Sequence, residues 1–309
     1  MQKTDCTIII PAYNEHKTIQ QVVTNVIKTR DQYEFEIIVV NDGSTDDTRQ
    51  ILESFGNQIR VINHFSNKGY GSSLKDGIRN ARTEYVMFFD SDGQHDVEKI
   101  PTFLDKLETT EMLIGVRTFG DGSPKKRILG KRILHFFVNF IAGQKVPDVN
   151  CGMRAGIRHL YMEMLDILPE GFSFTTTSLV YTLKNKLAFE YIPVKMIPRH
   201  KGFSTVNIFY DGTKTIMLIF RLSMLFNPFK VFGGLSVVLF LIAIAYQTYI
   251  IIKYGLHVEG GAVITFVTAV ILLSFGVIAD QISALRQEVS TQSSLFRQML
   301  EKDKNDGKS

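Results

Sequence analysis

Asp90 and Asp92 stand two residues apart directly after the apolar run 85–89 (YVMFF), and Gln94 follows two residues later. Three oxygen ligands converging at a strand end suit a hard divalent cation, Mg2+ or Mn2+, of the kind that also holds substrate phosphates. Asp42 has the same relation to the run 35–40, where a carboxylate can accept a base N–H, while Ser44 or Asp46 can cap the helix that follows. The segment PAYNE (11–15) closes the first apolar run. Tyr13 offers an aromatic face, and Glu15 can accept from a ribose hydroxyl or a base edge. NKGYG (67–71) and GVR (115–117) close two further runs. Any one such cluster would pass for a surface turn, but five in register at consecutive strand ends would not. None matches a GxGxxG or Walker A loop, which argues against a dinucleotide-dependent dehydrogenase or a P-loop ATPase.

The elements that must position these clusters are legible as a pattern. Apolar runs at 7–10, 35–40, 59–63, 85–89 and 112–116 alternate with helical patterns over 17–29, 45–55, 70–81 and 97–107. That alternation predicts βαβ units and a mostly parallel sheet, with the chemistry at the carboxyl ends of the strands. The chain has 309 residues, 45% of them hydrophobic, so it can bury a core without staples. Its two cysteines, Cys6 and Cys151, lie far apart, which excludes a disulfide scaffold and a cysteine-based zinc site. The net charge of +4 is too mild to suggest nucleic acid as a partner. Before Pro11 there is only a three-residue apolar run, too short for a signal-peptide core, so the N-terminal part is expected to stay in the cytosol.

The composition changes near residue 230. Residues 231–252 carry no formal charge between Lys230 and Lys253, and 260–279 carry none before Asp280. As helices, stretches of about 20 residues cover the ~30 Å hydrocarbon core of a bilayer. The short connector holds one Lys and one Glu, whereas the flanks carry Arg221, Lys230, Arg286 and Arg297. The positive-inside rule therefore predicts an integral membrane protein with its head and both termini on the cytoplasmic face. Four regions are expected: a head over 1–207, an interfacial region over 208–229, two transmembrane helices over 230–283, and a tail over 284–309. The tail reads as a short helix from Arg286 that frays. Residues 127–146 form a basic, Phe-rich amphipathic segment containing Arg127, Lys131 and Arg132, suited to lying at a bilayer surface.

PAYNE, NDGSTD (41–46), NKGYG and DSDGQ (90–94), in this order and spacing, resemble the nucleotide-sugar glycosyltransferases of GT-A fold, the large inverting family two. GVR (115–117), DVNCGMR (148–154), RHKGFS (199–204) and the two-helix ending with VIADQISALR (277–286) narrow the resemblance. Together they look like the polyprenyl-phosphate glycosyltransferases, the dolichol-phosphate mannose synthase group and its two-span bacterial and archaeal relatives.

The resemblance implies an α/β GT-A domain with interfacial helices and a C-terminal two-helix anchor. Its activity would move a hexose from a UDP- or GDP-sugar to a polyprenyl or dolichyl phosphate, with Mg2+ or Mn2+ as cofactor. The nucleotide would be held by Pro11, Tyr13, Asn14, Glu15, Asp42, Gly69, Asp90 and Ser91, and the metal by Asp90, Asp92 and Gln94. Asp92, Arg117 and Arg199 would serve catalysis, Arg117 near the acceptor phosphate and Arg199 at the donor diphosphate. Arg127, Lys131 and Arg132 would join Arg117 in holding the acceptor phosphate. The chain departs from the family pattern at Cys151, where Ser or Thr is common, and at Thr205, where Lys is common; Lys201 is the candidate replacement for that lysine.

A phosphate monoester nucleophile already carries about −1.5 to −2 charges at neutral pH, so it needs cations to position it and no general base. No catalytic histidine or nucleophilic cysteine is therefore expected, and Cys151 reads as a packed thiol. A processive polysaccharide synthase would share the first four motifs but carry QxxRW and more spans, and this chain has no Trp. A membrane-anchored transferase acting on another acceptor and a non-catalytic scaffold are the remaining alternatives. The expected partners are the nucleotide sugar, the lipid phosphate and the bilayer; homo-oligomer formation is left open.

Overall fold

A computed structural model of the chain describes residues 2–118, 128–171, 173–196 and 208–306, and the side chains of 4–118, 132–171, 173–196 and 216–293. Contacts divide the chain into two units, one comprising Met1–Lys214 with Ser290–Ser309 and the other Thr215–Val289.

The first unit is built on a seven-stranded sheet. Its strands are β1 (Gln2–Ala12), β2 (Tyr33–Asn41), β3 (Arg60–Asn63), β4 (Tyr85–Phe88), β5 (Met112–Arg117), β6 (Arg154–Ile157) and β7 (Phe189–Val194), in the spatial order β3-β2-β1-β4-β6-β5-β7. β1 to β4 pair in parallel, as does β5 with β7, and β6 runs antiparallel between β4 and β5. The five anticipated strands and their mostly parallel pairing are present.

Alternation along the strands builds two layers around the sheet. Ile8 and Ile10 of β1, with Met87 and Phe89, join one core with α1 (Ile19–Lys28) and α4 (Ile100–Leu104). In α1 the buried residues are Ile19, Val22, Val23 and Val26, the i, i+3, i+4, i+7 stripe of a helix lying on a sheet. Between them Ile9 faces the other way, against Gly77 of α3 (Tyr70–Asn80). Phe88 meets Tyr161 of α6 (Arg158–Met164) and Phe174 of α7 (Phe174–Lys184) edge-on, with centroids 4.8 and 5.6 Å away. α2 (Thr48–Glu53) and α5 (Ile128–Ala142) complete the helices of this unit's sheet region.

Four elements were not anticipated. β6 is four residues long and contains a buried arginine, and β7 mixes polar residues with a proline. α6 is a short helix, and α7 carries Thr175, Thr176 and Thr177 directly after its first residue, poor helix formers that burial on all sides overrides.

The second unit holds most of α8 (Ile208–Phe226), all of α9 (Pro228–Tyr254) and part of α10 (Gly260–Asp306). α9 and the stretch Gly260–Ser293 are long and apolar enough to cross a membrane, and only 17% of each apolar window is buried in the protein. Small residues let the two helices approach. Ser236 Oγ donates to the Ala269 carbonyl at 2.7 Å, and Gly276 lies against Phe232. The Gln247 side chain donates to the His257 carbonyl and accepts from the Glu259 N–H, tying down the connector. The expectation of a separate short helix from Arg286 is corrected: α10 continues unbroken to Asp306, there being neither proline nor glycine between Val277 and Asp306 to stop it.

Candidate active site

The carboxyl ends of β1, β2 and β4 frame a pocket of about 450 Å3. Of the residues assigned to nucleotide and metal, Pro11, Tyr13, Glu15, Asp42, Gly69, Asp90, Ser91 and Asp92 line it, together with Ala12, Asn67, Tyr70, Ser73, Asn150, Gly152 and Thr175.

Three loops are stitched together to make its walls. Asn14 takes the left-handed conformation (φ 53°), its N–H donates to Ser44 Oγ at 3.0 Å, and its Oδ1 accepts from the Thr45 N–H at 2.8 Å. Asn14 thus ties the PAYNE loop to the NDGSTD loop and does not itself line the pocket. Asp46 accepts from the Thr48 N–H at the start of α2, where the N-cap position itself is taken by Asp47 rather than by Ser44 or Asp46. Ser91 Oγ donates to the Pro11 carbonyl at 2.7 Å, locking β4 to β1. Tyr13 stands 44% exposed at the rim, its ring available for stacking.

Asp42 is buried and accepts the N–H groups of Lys68 and Gly69 at 2.9 and 2.8 Å, so the loop before α3 is hung on one carboxylate. Gly69 has φ 104°, and a Cβ there would come within 2.7 Å of the Glu170 carbonyl oxygen; only glycine fits.

Asp90 is gripped on both oxygens, Oδ1 by the Tyr70 hydroxyl at 2.8 Å and Oδ2 by His95 Nε2 at 2.9 Å. Burial pushes its carboxyl up, but the hydrogen bond and charge of His95, with the Tyr70 hydroxyl, outweigh that and hold it below the usual range. For His95 burial acts downward, and the Asp90 contact prevails to raise it. Asp92 Oδ1 accepts from the Gln94 N–H at 3.0 Å; Gln94 does not line the pocket.

Asp90 and Asp92 fit a divalent cation by donor chemistry, being hard carboxylate oxygens on one pocket wall with acceptor capacity beyond these bonds. No group of three or more His, Cys, Asp or Glu is clustered to hold a metal among the described residues, so a cation here would draw further ligands from a bound phosphate or water.

The far wall comes from the DVNCGMR segment, and Arg154 places it. Its guanidinium is wholly buried and donates to the carbonyls of Cys151 (3.0 Å), Thr175 (2.5 Å) and Val149 (3.4 Å) and to Ser178 Oγ (3.0 Å). One side chain thereby pins the 149–151 loop to α7 and delivers Asn150, Gly152 and Thr175 to the pocket. A Cβ on Gly152 would lie 2.2 Å from Asp90 Oδ2, so this backbone presses directly on the carboxylate. Cys151 is buried, and burial foremost pushes its thiol up to about 12, which makes it inert.

Arg117, at the end of β5, does not line the pocket. Its Nε and one terminal nitrogen form a fork with Asp148, at 2.6 and 2.8 Å. The edge best suited to bidentate phosphate contact is therefore engaged within the protein. Burial raises Asp148, but the Arg117 hydrogen bond and charge overcome it and hold the carboxyl low. Arg132 is exposed on α5, outside the pocket, on a helix that also exposes Ile133, Phe136 and Phe140. Arg127, Arg199, Lys201 and Thr205 lie outside the described residues, as does the side chain of Lys131.

Among the other pocket residues, Asn67 and Tyr70 sit inside NKGYG, and Asn150 and Gly152 inside DVNCGMR. Ala12 lies within PAYNE, whereas Ser73 and Thr175 carry no local signal.

The family model described as Glycosyl transferase family 2 matches residues 7–165, and one described as GtrB C-terminal hairpin matches residues 227–285. Glycosyltransferase AglJ of Haloferax volcanii is 28% identical over 294 residues, covering 91% of this chain and 94% of its own. The dolichyl-phosphate beta-glucosyltransferase of Saccharomyces cerevisiae is 28% identical over 218 residues, 61% of this chain and 65% of its own. Among solved structures, glucosyl-3-phosphoglycerate synthase from Mycobacterium tuberculosis, in complex with Mn2+, UDP and glucosyl-3-phosphoglycerate, superposes with TM-score 0.56 at 21% identity. That match covers 71% of this chain and 79% of the other, a likeness of fold.

Proposed function

The chain belongs to glycosyl transferase family 2, and from that premise we propose that it transfers a hexose from a nucleotide-diphosphate sugar to a polyprenyl phosphate with inversion at the sugar. The observation that carries the reading is the presence, in one chain, of a carboxylate-walled pocket at the strand ends and an apolar C-terminal hairpin. The yeast relative's name specifies dolichyl phosphate, which supports a lipid acceptor.

In this reading Tyr13 stacks on the base, and Asp42 accepts the N–H that uracil carries at N3 or guanine at N1. Asp90 and Asp92 face the diphosphate and hold Mg2+ or Mn2+, which when bound supplies positive charge to the departing nucleoside diphosphate. The acceptor phosphate oxygen forms the new bond to the anomeric carbon as the bond to the donor phosphate breaks. The electron pair leaves with the nucleoside diphosphate, and no proton has to be removed from the nucleophile.

Arg117 serves the acceptor side while its other edge is held by Asp148. Arg199, Arg127, Lys131 and Arg132 are assigned to phosphate groups on the sequence pattern. The apolar residues that α5 exposes, Ile133, Phe136 and Phe140, suit an interfacial helix at headgroup depth. α9 and α10 are read as the anchor, with the head on the cytoplasmic face.

The test uses membranes carrying the full chain, a panel of labelled UDP- and GDP-sugars, Mg2+ or Mn2+, and added polyprenyl phosphate. Radiolabel passing into the organic phase with one donor is the expected result. Label confined to a water-soluble product refutes the lipid acceptor, and no transfer from any donor refutes the activity.

A further inference from the structure

His64 follows β3 directly, is buried, and has no place in the chemistry described above. Both of its ring nitrogens face carboxylates: Nδ1 lies 2.7 Å from Asp42 Oδ1, and Nε2 lies 3.0 Å from Asp76 Oδ2 on α3. Asp76 Oδ1 in turn accepts from the Arg79 guanidinium at 2.8 Å. A chain of contacts, Asp42, His64, Asp76, Arg79, thus leads from the pocket wall out to the half-exposed Arg79. The ring's own backbone N–H donates to the Asn41 carbonyl at 2.9 Å, which fixes its base next to Asp42.

With His64, Lys68 and Gly69 all donating to it, Asp42 has three of a carboxylate's roughly four lone-pair sites occupied by its own chain. Both Oδ1 contacts lie away from the remaining site on Oδ2. A carboxylate so restrained presents one acceptor in one direction. The imidazole does two things for it. It blocks rotation about the Cβ–Cγ bond, and it offsets the burial of a carboxylate whose side chain is only 4% exposed.

We propose that His64 is a positioning residue for nucleobase selection: it aims the Asp42 carboxylate so that the pocket accepts a base with a ring N–H and rejects one without. This rests on the reading of Asp42 as the base contact. A buried acceptor fixed in place rejects a ligand lacking the donor far more strongly than lost contact area alone would. Uracil and guanine carry the ring N–H; cytosine presents an unprotonated N3 there.

The test is nucleotide binding by calorimetry to the full chain in detergent micelles with Mn2+. The readout is the ratio of CDP affinity to that of UDP or GDP, whichever binds tighter, beside donor KM and kcat. His64→Ala loses both contacts, His64→Gln keeps a donor placed to reach Asp76, and His64→Asn keeps one placed to reach Asp42. Loss of one charge-assisted hydrogen bond predicts that discrimination falls about tenfold in the Ala and Gln variants. It should largely survive in the Asn variant, with donor KM raised and kcat at saturating donor changed by less than about twofold. A reduced kcat with discrimination intact would mean a merely structural role and overturns the proposal.

Asp42→Ala separates this inference from its premise. If that variant keeps the wild-type base preference, Asp42 is not the base contact and the parent assignment fails. If it loses the preference while His64→Ala keeps it, only the role of His64 fails. Should His64→Ala not fold, Asp76→Asn retains the ring and removes the outer charge; a base preference unchanged in that variant and in His64→Gln overturns the proposal equally.

Discussion

Replacing Asp148 by Asn tests the forked ion pair that Arg117 makes beside the site. Asp148 takes four hydrogen bonds: two from the Arg117 fork, one from the Arg117 backbone at 3.3 Å and one from the Asn150 N–H at 3.0 Å. Asparagine keeps one carbonyl oxygen but turns an N–H2 toward a guanidinium N–H, leaving a charged group short of its partner. Removing one member of a buried pair costs ~3–5 kcal/mol. Here the side chains are 9% exposed for Asp148 and 20% for Arg117, so water recovers part of that loss. The expected destabilisation of the head is about 2–3 kcal/mol, allowing for that screening. For a domain of this size that is a fall in Tm of roughly 4–12 °C.

The chain has no tryptophan, but Cys6 and Cys151 are free and buried, so a thiol-reactive dye reports unfolding in detergent micelles. Arg117→Lys and the double variant complete the cycle, and the coupling energy should be about 1–3 kcal/mol because each single change already breaks the fork. A second readout follows from function. Once Arg117 is released from Asp148, KM for the lipid phosphate should rise while nucleotide affinity stays. A loss of stability under about 0.5 kcal/mol, or additive single effects, would refute the claim that the fork is a coupled buried pair.

Gly152→Ala should place a methyl 2.2 Å from Asp90 Oδ2 and push the carboxylate off Tyr70 and His95. Nucleotide–metal affinity should fall about tenfold or more, measured by calorimetry, with the fold retained. Chelation by EDTA should abolish transfer, and added Mg2+ or Mn2+ should restore it; full activity in chelator would remove the metal assignment of Asp90 and Asp92. For Asp46, burial acts upward, but bonds from the Thr48 side chain and N–H and from His16 prevail and hold the carboxyl at about 2. A depressed carboxyl stabilises the fold fully above the ordinary range and loses that effect as the pH falls toward its folded value. The stability gap between wild type and Asp46→Asn should therefore be open at pH 5 and close by about pH 2.

Much of the site was legible in the sequence because strand ends announce themselves. An apolar run followed by Asp, Asn or Gly marks both the end of a strand and its functional face, which is why Pro11, Tyr13, Glu15, Asp42, Asp90, Ser91 and Asp92 were found together. Charge-free stretches of about 20 residues likewise identify α9 and α10 without any tertiary information. These are local signals, written in consecutive residues.

Other features depend on residues distant in sequence. Thr175 reaches the pocket because the buried guanidinium of Arg154 holds its carbonyl, 21 residues away, and nothing in FTTTSLVYTLK announces it. Asn14, in the middle of a motif, braces two loops and does not line the pocket, a distinction that only the placement of Ser44 and Thr45 makes. Arg117 carries a fork that the sequence offers to phosphate and the fold gives to Asp148, 31 residues on. The sequence by itself determined which chemistry the strand ends can carry, since side-chain type and strand period are local properties. Which oxygens and nitrogens are already engaged was decided by tertiary packing alone, because a buried polar group must find its partner wherever the chain brings one.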